Sequence, residues 1–127
     1  MAERRSVIVG TGSCLPDHEM TNAELAKLVD TSDEWIIERT GIRSRRIAAK
    51  DETTSTLATS AARRALAAAG GGGGGVGLIT VATATPDYTF PSVGTQVQAA
   101  LGIADCIAFD VQAVCSGFLY ALSVADS

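Results

Sequence analysis

No metal-ligand spacing runs through this chain. Its three cysteines, Cys14, Cys106 and Cys115, are odd in number and widely separated, and His18 is the one histidine. That pattern excludes a zinc framework and a disulfide scaffold, and it fits a reducing cytoplasm. No apolar run approaches membrane-spanning length, and Val7-Ile8-Val9 is too short for a signal-peptide core, so a soluble protein with no membrane partner is expected. Lys and Arg are missing altogether from Ala65 to the end, and the net charge of −4 argues against a nucleic-acid partner. A dinucleotide fingerprint would need a third glycine at position 15, where Leu15 stands. The six glycines Gly70 to Gly75 are not a phosphate loop, because no Lys-Ser/Thr follows them.

What is there can build a core. The 127 residues, 46% hydrophobic and 19% charged, suit one domain or part of one. The basic charge is local: Arg39 to Lys50 holds five basic residues and no acidic one. The stretch after Ala65 reads as interior.

Ser6 to Thr11 reads as a strand, with Gly10 and Gly12 turning the chain and Pro16 delaying helix entry. His18 falls in the loop that follows. Thr21-Asn22-Ala23-Glu24 is a capping box for a short helix with Leu25, Leu28 and Val29 on its apolar side. Thr31-Ser32-Asp33-Glu34 reads as a second box, opening a helix to about Arg39 that Gly41 ends. Thr54 to Ala69 is an alanine-rich helix, its small face suited to close packing on a sheet. The six glycines read as a flexible linker. Leu78 to Ala84 has the near-continuous apolar and threonine run of a central strand covered on both faces. A helix from Val93 to Leu101 stops at Gly102, and 107–111 is a further buried strand. The order predicts an α/β layered fold with a mixed sheet.

Cys115 sits where strand 107–111 turns into a helix carrying Phe118, Leu119, Ala121, Leu122 and Ala125 at helical spacing. Ser116 and Gly117 are small enough to leave the thiol uncovered. Free N–H groups of a first helical turn favour negative charge there, and the thiolate is the nucleophile. The alternative is a small buried apolar residue. Trp35, the single tryptophan, is either core packing with Ile36 or Ile37, or a platform for a nucleotide base with Arg39, Arg43, Arg45 and Arg46 near phosphates. Taken by itself, the basic cluster reads as a solvated face.

Phe109 to Phe118, read Phe-Asp-Val-Gln-Ala-Val-Cys-Ser-Gly-Phe, resembles the nucleophile motif of the β-ketoacyl-acyl carrier protein synthase III family, condensing enzymes of the thiolase superfamily. Gly10-Thr11-Gly12-Ser13-Cys14-Leu15-Pro16 resembles the family's first strand and turn. Asp30 to Ile36 and Arg39-Thr40-Gly41-Ile42-Arg43 resemble its signature near the coenzyme A site. Val81 to Asp87 and Phe90-Pro91-Ser92 resemble the segment before the nucleophile. The blocks stand in the family's order and cover nearly the whole chain. The glycine run departs from the family, whose connector there is more varied.

The resemblance implies a thiolase-like α/β/α fold, of which residues 1–127 would be an incomplete N-terminal half-domain. It implies that Cys115 takes an acyl group from acyl-CoA such as acetyl-CoA, a substrate and not a permanently bound cofactor. Condensation with malonyl-acyl carrier protein would follow, initiating fatty acid synthesis. Thr31, Trp35, Arg39 and Thr40 would line the coenzyme A site, with Trp35 stacked on adenine. Phe90 would reach across a homodimer interface into the partner's acyl pocket, where the residue by itself reads as a core or loop anchor. No metal is implied. The family's catalytic His and Asn come from its C-terminal half, and neither His18 nor Asn22 matches them. The chain stops at Asp126-Ser127 inside an apolar helical pattern, so a fragment without condensing activity and of low stability is expected. Two other readings stay open: a superfamily relative loading other acyl starters, and a non-catalytic binding or assembly module.

Overall fold

A computed structural model describes residues 6–71 and 74–127. The chain divides into two compact units, Met1–Cys14 with Thr53–Ser127, and Leu15–Glu52. Among the described residues no helix is long and apolar enough to cross a membrane.

In the smaller unit, strand β1 (His18–Thr21) pairs antiparallel with β2 (Ser44–Ile47), His18 opposite Ile47 and Thr21 opposite Ser44. His18 is therefore a strand residue and not a loop residue. The pairing is polar: Glu19 meets Arg46 in an ion pair of 3.3 Å and accepts a hydrogen bond from the Ser44 hydroxyl. Between the strands lie α1 (Asn22–Leu25) and α2 (Asp33–Thr40). Thr21 and Glu24 form the expected capping box, but α1 is only four residues long. Leu28 and Val29 follow it, exposed, and supply no apolar side. The second expected box does not form. Ser32, one residue later than supposed, caps α2 by accepting from Trp35 N–H at 3.2 Å, which leaves Glu34 out of reciprocal register. Gly41 ends α2 at φ 72°, its N–H on the Ile37 carbonyl at 2.8 Å.

In the larger unit, β3 (Leu78–Ala82) and β4 (Ile107–Val111) pair in parallel, Leu78 opposite Ile107 and Ala82 opposite Val111. The expected central strand stops two residues early and is half-buried, because β4 is its one strand neighbour among the described residues. The parallel and antiparallel pairings thus lie in two separate sheets. Helix α3 (Thr54–Ala68) packs on α4 (Val93–Leu101), and α4 packs on both strands. Val93 and Val97, 0% and 2% exposed, are the heart of this core. Gly94 allows the approach: a Cβ there would lie 2.9 Å from the Phe109 backbone N and O. After β4 a 3₁₀ turn, Val114–Ser116, leads into α5 (Gly117–Asp126), which rests on β3.

Ser6 to Thr11 is not a strand. Val7, Ile8 and Val9 are about three-quarters exposed, and no described strand offers the ladder partners that an extended segment needs. Gly10 and Gly12 serve close approach instead of turning. A Cβ at either would overlap the α3 backbone at the Ala65 or Ala61 carbonyl. The small face of α3 thus receives this segment as well as α4.

The glycine run begins with a defined task. Gly70, at φ 79°, donates to the Ala67 carbonyl at 3.1 Å, and Gly71 donates to that of Leu66 at 3.3 Å, a Schellman closure of α3. The linker expected beyond it includes Gly72 and Gly73, which lie outside the described residues.

The α3 N-terminus carries a pH-sensitive contact. Ser55 N–H donates to both Asp87 oxygens at 3.2 Å. Burial pushes the Asp87 carboxyl up, but hydrogen bonds from Ser55, Thr53 and Thr54 outweigh that and hold it below the usual carboxylate range. A carboxyl depressed in the folded state stabilises above its unfolded value. The contribution is lost as pH falls through the folded value. Asp87→Asn is therefore expected to flatten the acid limb of a urea-midpoint profile and leave its slope near neutrality unchanged.

Candidate active site

Cys115 stands at the elbow the sequence predicts. β4 ends at Val111, the chain turns through Val114–Ser116, and α5 begins at Gly117. Ser116 N–H closes the turn on the Ala113 carbonyl at 2.9 Å. Gly117 is buried, and a Cβ there would sit 3.2 Å from that of Ala82, so the glycine lets α5 start directly over the end of β3. The thiol of Cys115 is exposed, which removes the reading as a buried apolar residue.

Cys115, Val114 and Phe118 line a cavity of about 500 Å³ whose other walls are β3, Val97 of α4 and the small residues Ala58, Ala61 and Ala62 of α3. Apart from Cys115 and Thr80 the lining side chains are apolar, and the Thr80 hydroxyl oxygen is sealed from solvent. The cavity therefore offers a short apolar chain a wall and offers a thioester one nucleophile.

Val114 has φ 41°, a left-handed conformation that a β-branched residue adopts only under constraint. Its side chain is 77% exposed, so little burial favours it. Replacing it with Gly is expected to raise chain stability by about 1 kcal/mol, the strain relieved minus the greater unfolded-state freedom of glycine. Urea unfolding of Val114→Gly at unchanged slope measures this.

The other predicted residues divide between the units. Phe90 belongs with the larger one. Its ring is 88% exposed and does not line the Cys115 cavity, so it is not a core anchor. Trp35, Arg39 and Thr40 share α2 in the smaller unit, with Thr31 half-buried just before the Ser32 cap. Trp35 is 53% exposed, and the Arg39 guanidinium carbon lies 4.7 Å from its ring centroid. Spacing of four residues on a helix produces this cation–π stack. Neighbouring Ile36, not Trp35, is the buried one. The Thr40 hydroxyl is committed to the helix end: it donates to the Ile36 carbonyl at 2.7 Å and accepts from Ile42 N–H at 3.1 Å.

The basic cluster is only partly a solvated face. Arg46 is held by Glu19 and by the Asp17 carbonyl at 3.0 Å. Arg45 donates to the Asn22 side-chain oxygen at 2.6 Å. Two residues of consequence were not legible as such. Asn22, 1% exposed, is the polar centre of the smaller unit. Asp110 clamps the α4 N-terminus with both carboxylate oxygens. The one sequence signal for Asp110 was a carboxylate inside an apolar run, and Asn22 carried none beyond its place at a helix start.

No protein-family model matches the chain. Curated relatives do. The chain is 70% identical to the β-ketoacyl-[acyl-carrier-protein] synthase III of Rhizorhabdus wittichii over 98% of its own length and 39% of that protein's. It is 68% identical to that of Sphingopyxis alaskensis over the same shares. Among solved structures, the 3-oxoacyl-[acyl-carrier-protein] synthase III of Aquifex aeolicus superposes with a TM-score of 0.89 at 52% identity, covering 93% of this chain and 38% of that one. The priming β-ketosynthase of a polyketide biosynthetic pathway gives 0.90 at 40% identity, covering 94% and 36%. The chain spans about 39% of the length of the curated relatives it matches. Over that span it is similar to β-ketoacyl-acyl carrier protein synthase III enzymes and has their thiolase-like α/β fold.

Proposed function

We propose that Cys115 is the acyl acceptor of a condensing enzyme that initiates fatty acid synthesis. The observation that carries this is the exposed thiol at a strand-to-helix elbow, on a cavity with otherwise apolar accessible walls. The Cys115 thiolate attacks the carbonyl carbon of an acyl-CoA thioester. The carbon–sulfur bond to coenzyme A breaks, and coenzyme A leaves as a thiolate that takes up the proton Cys115 gave up. The backbone N–H of Cys115 is the donor suited to the developing oxyanion, those of Ser116 and Gly117 being spent within the turn. Malonyl-acyl carrier protein then loses carbon dioxide, and its enolate carbon attacks the acyl-cysteine and frees Cys115.

That second half needs further donors for the enolate. His18 is on exposed β1, and both polar groups of Asn22 are engaged elsewhere. The 127 residues are therefore read as competent for acyl loading at most and not for condensation. Trp35 with Arg39 takes the adenine and phosphate end of coenzyme A, with Thr31 alongside. Thr40 contributes through the helix end it secures. The assignment of Phe90 to a homodimer contact is supported by its exposure and by the resemblance of its segment. Acyl-CoA is a substrate, and the setting read from the cysteines is the cytoplasm.

Intact mass of the chain after incubation with acetyl-CoA tests the reading. One acetyl group on the peptide containing Cys115 is expected. An unmodified chain, or acetylation of Cys14 or Cys106 instead, overturns it. A second reading, a relative priming with other acyl starters, is favoured by the likeness to the priming β-ketosynthase. Preference for a longer acyl-CoA over acetyl-CoA in the same assay would select it.

A further inference from the structure

We propose that Asn22 is the positioning residue for the nucleotide platform on α2, an inference that rests on the coenzyme A reading above. The Asn22 amide nitrogen donates to the Asp33 carboxylate at 2.7 Å and to the Ile42 carbonyl at 2.8 Å. Asp33 is the first residue of α2, and Ile42 follows the glycine that ends it. One side chain thus holds the helix at both ends.

The third contact locks the amide. Arg45, on β2, donates to the Asn22 oxygen at 2.6 Å. A guanidinium only donates, and a carboxylate and a carbonyl only accept, so the amide has one orientation that satisfies all three partners. Asn22 is 1% exposed, and water cannot substitute for it. An eight-residue helix has little stability of its own, so its attitude is set by such tethers.

The functional consequence lies one turn further on. Trp35 and Arg39 are on this helix, stacked at 4.7 Å with the indole half exposed. A flat ring beside a fixed cation suits a purine carrying phosphate. Any tilt of α2 moves both groups together, away from the geometry a base and a phosphate need at once.

Trp35 is the chain's only tryptophan, so its emission reports directly on the platform. The experiment titrates the chain with coenzyme A and follows that emission, each variant being assayed below its own thermal midpoint. The parent chain is expected to show a saturable change. Asn22→Asp puts a carboxylate against Asp33 and the Ile42 carbonyl and is expected to weaken binding roughly tenfold or more. Adding Asp33→Asn restores a donor facing residue 22 and recovers most of that loss. Thr21→Ala removes the α1 capping box in the same unit, lowers the thermal midpoint, and leaves affinity within about twofold.

An Asn22→Asp affinity equal to that of Thr21→Ala, or no recovery in the double variant, overturns the proposal. If Asn22→Asp does not fold, Arg45→Met is read in its place. It removes one contact of the three, and an unchanged affinity overturns the proposal equally. A parent chain with no saturable response removes the nucleotide site and this role with it. A responsive parent with an indifferent Asn22→Asp removes only the role of Asn22.

Discussion

Cys115→Ala is expected to abolish acyl loading from acetyl-CoA, with transfer falling by roughly a thousandfold or more, because neither of the other two thiols, Cys14 and Cys106, is exposed or lines the cavity. The chain itself should stay folded. The thiol is exposed, and an alanine at this elbow removes one exposed atom and no hydrogen bond of the turn. Cys115→Ser is the sharper control. It keeps size and hydrogen bonding but offers a hydroxyl, a much weaker nucleophile near neutral pH without a general base. Both variants should therefore lose loading, while Cys14→Ala and Cys106→Ala keep it. The measurement is acetyl incorporation by intact mass, beside a urea midpoint for each variant. A Cys115→Ala chain that loads as fast as its parent would sink the acyl-acceptor assignment. If a biological role of the protein also survived the change, the reading as a binding or assembly module would take its place.

What the sequence made legible follows the strength of local signals. Helix α4 matches its predicted bounds because Ser92 and Gly102 mark both ends and the apolar spacing between them is regular. Strand β4 and the elbow at Cys115 were visible for the same reason: an apolar run, then small residues, then helical spacing. The β1–β2 pairing was not visible. Its strands, His-Glu-Met-Thr and Ser-Arg-Arg-Ile, are held by an ion pair and polar contacts between segments more than twenty residues apart, and neither shows an apolar alternation. Ser6 to Thr11 misled in the opposite sense. An apolar run predicts a strand only if a second strand accepts its hydrogen bonds, and here the glycines lead the chain onto the α3 backbone. Trp35 and Arg39 were legible as members of a basic and aromatic cluster, and their spacing of four on α2 then brings them into contact. Thr40 was not: only the geometry shows its hydroxyl spent on the helix end.

Asp110→Ala is expected to cost about 3 kcal/mol of stability while leaving the chemistry of the surviving folded chain nearly intact. Asp110 lies in β4, and its carboxylate accepts from Val93 N–H at 2.8 Å and Gly94 N–H at 2.7 Å. Those are the first two N–H groups of α4, which have no partner within the helix. Val93 and Gly94 are buried, so the groups left by the substitution could not turn to water. Each lost bond is charge-assisted, and the positive end of the helix dipole adds to the attraction. No neighbour can move in to replace the carboxylate, because α4 already lies against the Phe109 backbone at Gly94. Asp110→Asn keeps one acceptor and turns its amide N–H toward a donor, so an intermediate loss of about 2 kcal/mol is expected. Urea midpoints at constant slope give both values. A change below about 1 kcal/mol for Asp110→Ala would mean that the clamp is not a main tie between α4 and β4. Loading at Cys115 separates this role from catalysis. Asp110 is five residues before Cys115 and on the strand that leads to it, yet its carboxylate is turned into α4. Below its unfolding range the Asp110→Ala chain should still acquire its acetyl group within a few-fold of the parent rate, where Cys115→Ala acquires none.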